Sequence, residues 1–384
     1  MKFFIYLSNY FSKRETIQEI FLIPVIATIL AIFLGLLLLI VSGSSTQIAL
    51  TALVALFTGS FGSLSAISET FTAATPLIFA ALGIAVGFRA GLFNIGAEGQ
   101  IILGGMAAVI VGFSFQLPFF IHLILILLSG AIFGALYAFI SGWLKATTGA
   151  HEVITTIMLN LIAYRLLDFF LRIPYIQKDG RNDPISKSIL DTAELPRILH
   201  LIDPNLRVHM GFLIAIVAVL IVYWLIFYTT IGYEFRAVGK NLEASRYGGI
   251  SPSMTIILAM SIAGLLAGLA GASQIAGVLG RATPGFSAGI GFDAIAVALL
   301  GRAHPIGVLF AGILFGALIA GGRQMQVSAD VSLDLITVIQ ALIIIFIAAP
   351  VLIRKLFLKL IKSRNFHLNQ LKINLQLLPL MTPL

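Results

Sequence analysis

FLIPVIATILAIFLGLLLLIV, residues Phe21 to Val41, runs without a charge. It is close to the roughly 20 residues an α-helix needs to cross the hydrocarbon core of a bilayer. Leu333 to Ile353 is a second stretch of that length, with Asp334 its one charge, and between the two the apolar segments recur so closely that no soluble domain is left over. Of the 384 residues 59% are apolar and 10% charged, so the fold class is an all-α polytopic membrane protein. Ten crossings are expected, at 21–42, 70–88, 99–115, 119–143, 153–171, 210–228, 253–280, 286–300, 305–322 and 334–353, which together span a membrane domain of 21–353. The run Gln47 to Phe57 is shorter and reads as a re-entrant or interfacial helix. Met1 to Glu19 is too polar and too long for the leading region of a cleaved signal, so 21–41 reads as a retained helix.

The net charge of +8 could suggest nucleic acid, but the cations sit at the ends of apolar spans, where they set orientation. Their distribution favours both termini in the cytoplasm: an N-terminal segment at 1–20, a coupling loop at 229–252 and a tail at 354–384 anchored by Lys355, Lys359, Lys362 and Arg364. The loop 172–209 is then external. It carries acids beside its bases and is expected to form a small folded cap. Zero cysteines exclude disulfides, thiolate catalysis and cysteine metal sites.

Five crossings precede the long loop and five follow it, and an odd number per half gives the halves opposite orientations, an inverted repeat. The second and third crossings meet at GLFNIGAEGQ (Gly91 to Gln100). The seventh and eighth meet at GRATPGFSAGIGFDA (Gly280 to Ala294). Pseudo-symmetry would bring these glycine-rich junctions together, and irregular backbone at membrane depth is tolerated only where it lines a cavity or is buried in protein. Phe93, Asn94, Glu98, Gln100 and Asp293 are the expected pathway lining. Glu98 has two readings: a partner for a polar solute, or a carboxylate capping the helix that begins near Gly99. Asp293 reads chiefly as a cap. Arg165 and Asp168, three apart, are expected to pair. His151 and Glu152 lack a metal-ligand spacing and begin the fifth crossing, so no metal site is expected.

AGLLAGLAGASQIAG (Ala263 to Gly277) and GVLFAGILFGALIAGG (Gly307 to Gly322) repeat small residues at helical spacing, the pattern of close helix packing. RAVGKNLEASRYGGIS (Arg236 to Ser251) is different: a polar segment in which Asn241 caps a short helix and Gly248-Gly249 ends it. Its Arg236, Lys240 and Arg246 fit a cytoplasmic face offered to a soluble partner. No phosphate-binding GxxxxGK[ST] loop, serine nucleophile elbow or catalytic cluster occurs. Uphill transport would therefore draw on an ion gradient or a separate ATPase.

GLFNIGAEGQ, AVGKNLEASRYGGI (Ala237 to Ile250) and GFDAIAVALLGRAHPIG (Gly291 to Gly307) together resemble the permease subunits of ATP-binding cassette importers for nucleosides and simple sugars. Within that resemblance Glu243, Ala244 and Ser245 stand for the EAA element that docks the ATPase, with Gly249 at the expected glycine; Asn241 and Arg246 belong to the same helix. Ser245 replaces an alanine, and the downstream I-x-L-P element is absent. The resemblance implies a bacterial inner-membrane permease that is not itself an enzyme. It also implies a second homologous permease forming a heterodimer, ATPase subunits carrying ATP and Mg, an external solute-binding lipoprotein and a nucleoside substrate. The alternative is a proton-coupled secondary transporter with inverted repeats, using Glu98 or Asp293 as proton carrier.

Overall fold

The computed structural model describes residues 23–348 apart from Leu333. The expectations for 1–20, for 354–384 with Lys355, Lys359, Lys362 and Arg364, and for the outermost ends of the first and last crossings lie outside these residues. Thirteen α-helices and no strand occur among the described residues. They are α1 (Ile23–Val41), α2 (Thr46–Phe61), α3 (Leu64–Arg89), α4 (Ala97–Ser114), α5 (Phe119–Thr148), α6 (Glu152–Phe170) and α7 (Gly211–Tyr228). Then follow α8 (Thr230–Lys240), α9 (Leu242–Tyr247), α10 (Pro252–Gln274), α11 (Ile290–Leu300), α12 (Pro305–Ala329) and α13 (Asp334–Ala348). Local signals set their starts. Ser45 and Ser63 accept hydrogen bonds from Ile48 N and Ala66 N, capping α2 and α3, and Pro252 and Pro305 open α10 and α12, where a missing N–H costs nothing.

Among the described residues seven helices are long and apolar enough to cross a membrane: α3 to α7, α12, and α10 continued by a π-helical turn to Leu279. The protein is a multi-pass membrane protein. Two expected elements differ in extent. In 286–300 only Ile290–Leu300 is helical, a rod of about 16 Å or half a bilayer, because Gly285, Ala288 and Gly289 all take positive φ and keep the preceding turn from joining it. The re-entrant or interfacial candidate Gln47 to Phe57 lies within the 16-residue helix α2, which is longer than the apolar run itself.

Residues 39–337 form one compact unit. Within it α3 is the core helix, with 83% of its apolar window buried, whereas α6 buries only 22%. The small-residue stripes explain the packing. A Cβ on Gly264 or Gly268 would run into the carbonyls of Gly134 or Gly130 on α5, so α10 meets α5 backbone to backbone. Gly312 lies against Ile78 and Gly316 against Thr70, joining α12 to α3. In lipid, where apolar surface gains little by leaving solvent, such close approach supplies the association energy. The pattern occurs twice: α10 packs on α5 and α4, and α3 packs on α12 and α11. The second unit contains residues 23–38 of α1 and 338–348 of α13, in which Gly35 lies against Ile339.

The loop between α6 and α7 packs Ile176, Ile189, Ala193, Leu195, Leu206 and Val208 inward. It also grips the end of α10. Leu195 N donates to Ala276 O, Ile189 N to Gly280 O and Ser186 N to Ala282 O, and Ala282 N returns a bond to Ser186 Oγ. These bonds satisfy carbonyls that the π turn and the chain break leave open. His209 closes the arrangement. Its ring is wedged between Gly277 and Gly211, fully buried, and its Nδ1 accepts from Gly211 N. Burial first, and then the Arg207 charge, pull its pKa down to about 4. A histidine depressed in the fold stays neutral there, so its stabilising contribution is whole above the ordinary value near 6.5 and is lost as pH falls toward 4. Amide protection at Ile189 and Leu195 is therefore expected to drop across that window, and to drop less in His209→Gln. An equal fall in the two proteins, measured by hydrogen exchange, would refute the assignment.

Candidate functional site

Two helices stop short and resume, and their restarts meet. The first break follows α3, where Gly91 takes φ +73° and the chain runs irregularly to Gly96 before α4 begins. Gly96 has no side chain to cap α4, so other groups must take up its first N–H donors. Asn160 on α6 does this: its Oδ1 accepts from Gly99 N (2.8 Å) while its Nδ2 donates to Ile95 O (2.9 Å). Asn94 Oδ1 accepts from Gly96 N (2.9 Å) and from Gln100 Nε2 (3.2 Å), and its Nδ2 donates to Gln100 Oε1 (3.1 Å). All three amides are essentially buried.

The second break runs from Gly280 to Gly289, and Glu98 joins it to the first. Its carboxylate, fully buried, accepts from Ser287 Oγ (2.5 Å), Gly291 N (2.7 Å), Gly289 N (3.3 Å) and Tyr164 Oη (3.1 Å). Two of those donors are the free N–H groups at the start of α11. Glu98 therefore lies in the first turn of α4 and at the N-terminus of α11, where two positive helix ends favour one negative charge. Gly291 has no room for a Cβ, which would overlap the Glu98 backbone, so the two helix starts abut. The capping role foreseen for Glu98 is directed at α11 across the junction.

Of the expected lining, Asn94, Glu98 and Gln100 have their polar atoms engaged by protein partners, whereas Phe93 is 38% exposed and packs at a tilt against Phe88 (5.1 Å between centroids). Asp293 is half-buried in the first turn of α11. Asn160, Tyr164 and Ser287 were not foreseen. Asn160 had a signal, being an amide within an apolar span; Ser287 had none, since its partner lies far along the chain. Arg165 and Asp168 approach to 4.0 Å, both exposed. Lys145 and Glu152 pair at 2.8 Å across the α5–α6 turn.

The polar segment 229–252 holds two helices rather than one. In α8 the Thr229 hydroxyl accepts from Gly232 N as cap, and Phe235 and Val238 face inward. In α9 the Asn241 Oδ1 accepts from Ala244 N (2.9 Å). At its end Gly249 takes φ +84°, while Ile250 N donates to Ser245 O and Gly249 N to Arg246 O, a Schellman arrangement that needs the left-handed glycine. Ser245 is buried and bonds Asn241 O, while Glu243 and Arg246 form an exposed pair at 3.4 Å. Tyr247 is 97% exposed.

Interrupted helices meeting inside an apolar helical bundle are an arrangement that solute permeases of the membrane use. The chain belongs to the family described as branched-chain amino acid transport system / permease component, whose model matches residues 66–348. It is 39% identical to the guanosine ABC transporter permease protein of Bacillus subtilis over 89% of this chain and 97% of that one. It is 36% identical to the nucleoside ABC transporter permease protein of Lactococcus lactis subsp. cremoris (86% and 92% covered). It is 37% identical to the glucose ABC transporter permease protein of Haloferax volcanii (73% and 75%). No solved structure matches.

Glu98→Gln tests the junction. A glutamine accepts through one oxygen only and turns its amide donor toward a backbone N–H, so bonds to a charged acceptor worth about 1.5–3 kcal/mol each are lost or reversed. The variant is expected to unfold about 3 kcal/mol more easily in detergent, with Ser287→Ala intermediate. Unchanged thermal unfolding in both would show that Glu98 does not hold the two breaks together.

Proposed function

We propose that the chain is the membrane-spanning subunit of an ATP-binding cassette importer that carries nucleosides, or chemically related sugars, into the cytoplasm of a bacterium. Family membership and the two nucleoside permease relatives support the class of solute. The observation that carries the mechanism is α9: a six-residue helix capped at both ends, presenting Glu243, Arg246 and a bare Tyr247 to a partner. An ATPase subunit holding ATP and Mg docks there, so hydrolysis belongs to the partner.

In this reading ten crossings form two inverted five-helix repeats with both termini cytoplasmic, α11 being a half-crossing whose broken approach completes it. The twofold recurrence of packing, α10 on α5 and α3 on α12, supports the repeat. The 172–209 cap faces outward, toward a solute-binding lipoprotein, and a second homologous permease completes the pathway as a heterodimer in the inner membrane. Phe93 and Asp293 line the route. Asn94, Glu98 and Gln100 shape it, because their polar atoms are already engaged. The Glu98 carboxylate is engaged by four protein donors and joins the two breaks, a structural role that weighs against the secondary-transporter reading.

Glu243→Lys reverses the exposed charge, and Gly249→Pro forbids the φ of +84° at the helix end. Both are expected to lower ATP-driven uptake of radiolabelled guanosine or adenosine by about tenfold or more, with the permease still in the membrane. Normal uptake and normal ATPase co-purification in both variants would overturn the docking assignment. Uptake that follows an imposed proton gradient without ATP would overturn the importer.

A further inference from the structure

Among the described residues four non-glycine positions take left-handed backbone, and three of them bracket one element. Ala288 (φ 48°) precedes α11, and Arg302 (55°) and Ala303 (49°) follow it. Such conformations persist only where neighbours hold them, and they cluster at switch regions. Both turns are held from the same place. Ser287, beside Ala288, donates to Glu98. Arg89, the last residue of α3, donates through Nε to Ala303 O at 2.9 Å. The stretch from Arg89 to Glu98 thus grips α11 at both ends.

The same stretch touches the polar α8–α9 segment. A Cβ on Gly239, in α8, would sit 2.8 Å from Gly91 N and closer still to Arg89 O, so α8 rests on this stretch with no side chain between them to yield. The guanidinium of Arg89 lies 5.6 Å from the Phe227 ring and that of Arg236, also in α8, lies 5.7 Å from it, both within cation–π range. The His304 ring lies against it too, tilted by 36° with the centroids 5.4 Å apart. Arg89 therefore meets α8 through a shared ring and α11 through its trailing turn.

We propose that Arg89 is a positioning residue for transport: it ties displacement of α8 and α9 to a rotation of α11 about Ala288 and Arg302–Ala303, opening and closing the route beside Glu98. The proposal rests on α9 being the ATPase contact and names the path by which that contact reaches the pathway. An 11-residue helix bounded at both ends by strained turns is an element that hinges at those turns can move as a unit, which is what such a relay needs.

The test uses the complete complex in nanodiscs with Phe292→Cys as the sole cysteine, since Phe292 lies on α11 and is 45% exposed. Its rate of reaction with a charged maleimide is read with and without a non-hydrolysable ATP analogue. With Arg89 intact the nucleotide is expected to change that rate by roughly fivefold or more. Arg89→Gln is expected to abolish the change while ATPase co-purification persists, and Arg89→Lys to restore part of it, because lysine still donates and still faces the ring. Phe227→Ala leaves the bond to Ala303 in place and removes only the shared ring; it too is expected to abolish the response. A nucleotide response that survives both Arg89→Gln and Phe227→Ala overturns the relay and leaves the docking assignment standing. No response with Arg89 intact overturns both.

Discussion

One buried carboxylate governs the arrangement. Taking a charge into a low-dielectric interior costs several kcal/mol unless donors surround it, and Glu98 has four, drawn from α6, from the second break and from the start of α11. This placement of α11 satisfies both the carboxylate and two of the helix's own first N–H groups. The negative charge also sits where two helix dipoles converge, so the two half-elements stabilise it jointly and it holds them together. Glycine at 291 follows from that contact, because any side chain there would force the helix starts apart.

Each break is also fastened at its far end, and by unlike means. The α6–α7 loop bonds Ala276, Gly280 and Ala282, the approach to α11. Near Gly91 the fastening is the close passage of α8 at Gly239. One attachment is made of hydrogen bonds and a neutral buried histidine, the other of bare backbone contact and arginines gathered round a ring. The two fastenings thus lie on either side of the same carboxylate along the chain.

The sequence makes some of this plain and hides the rest for physical reasons. Apolar runs locate the long helices because lipid demands them, and Gly-rich junctions locate the breaks because nothing else interrupts a spanning helix so cheaply. The Asn241 cap and the Gly249 terminus are readable because capping is local, a matter of residues three or four apart. α8 is less so, since its polar and apolar residues describe a helix only once Phe235 and Val238 have something to bury against. The partners of Glu98 are hidden altogether: Ser287 stands 189 residues away and Gly291 gives only a backbone N–H, which every residue but proline has. Likewise the shortness of α11 depends on positive φ at Ala288, a conformation that alanine does not announce.

The contact between α10 and α5 has a mechanical meaning. Where Gly264 and Gly268 meet Gly134 and Gly130, main chain touches main chain, and no rotamer is available to absorb a displacement. Such a seam has neither slack nor compressibility. The α5–α10 pair is in this sense a keel: sliding of one helix along the other finds no side chain at the seam to take it up, while the short members hung beside it carry side chains that can.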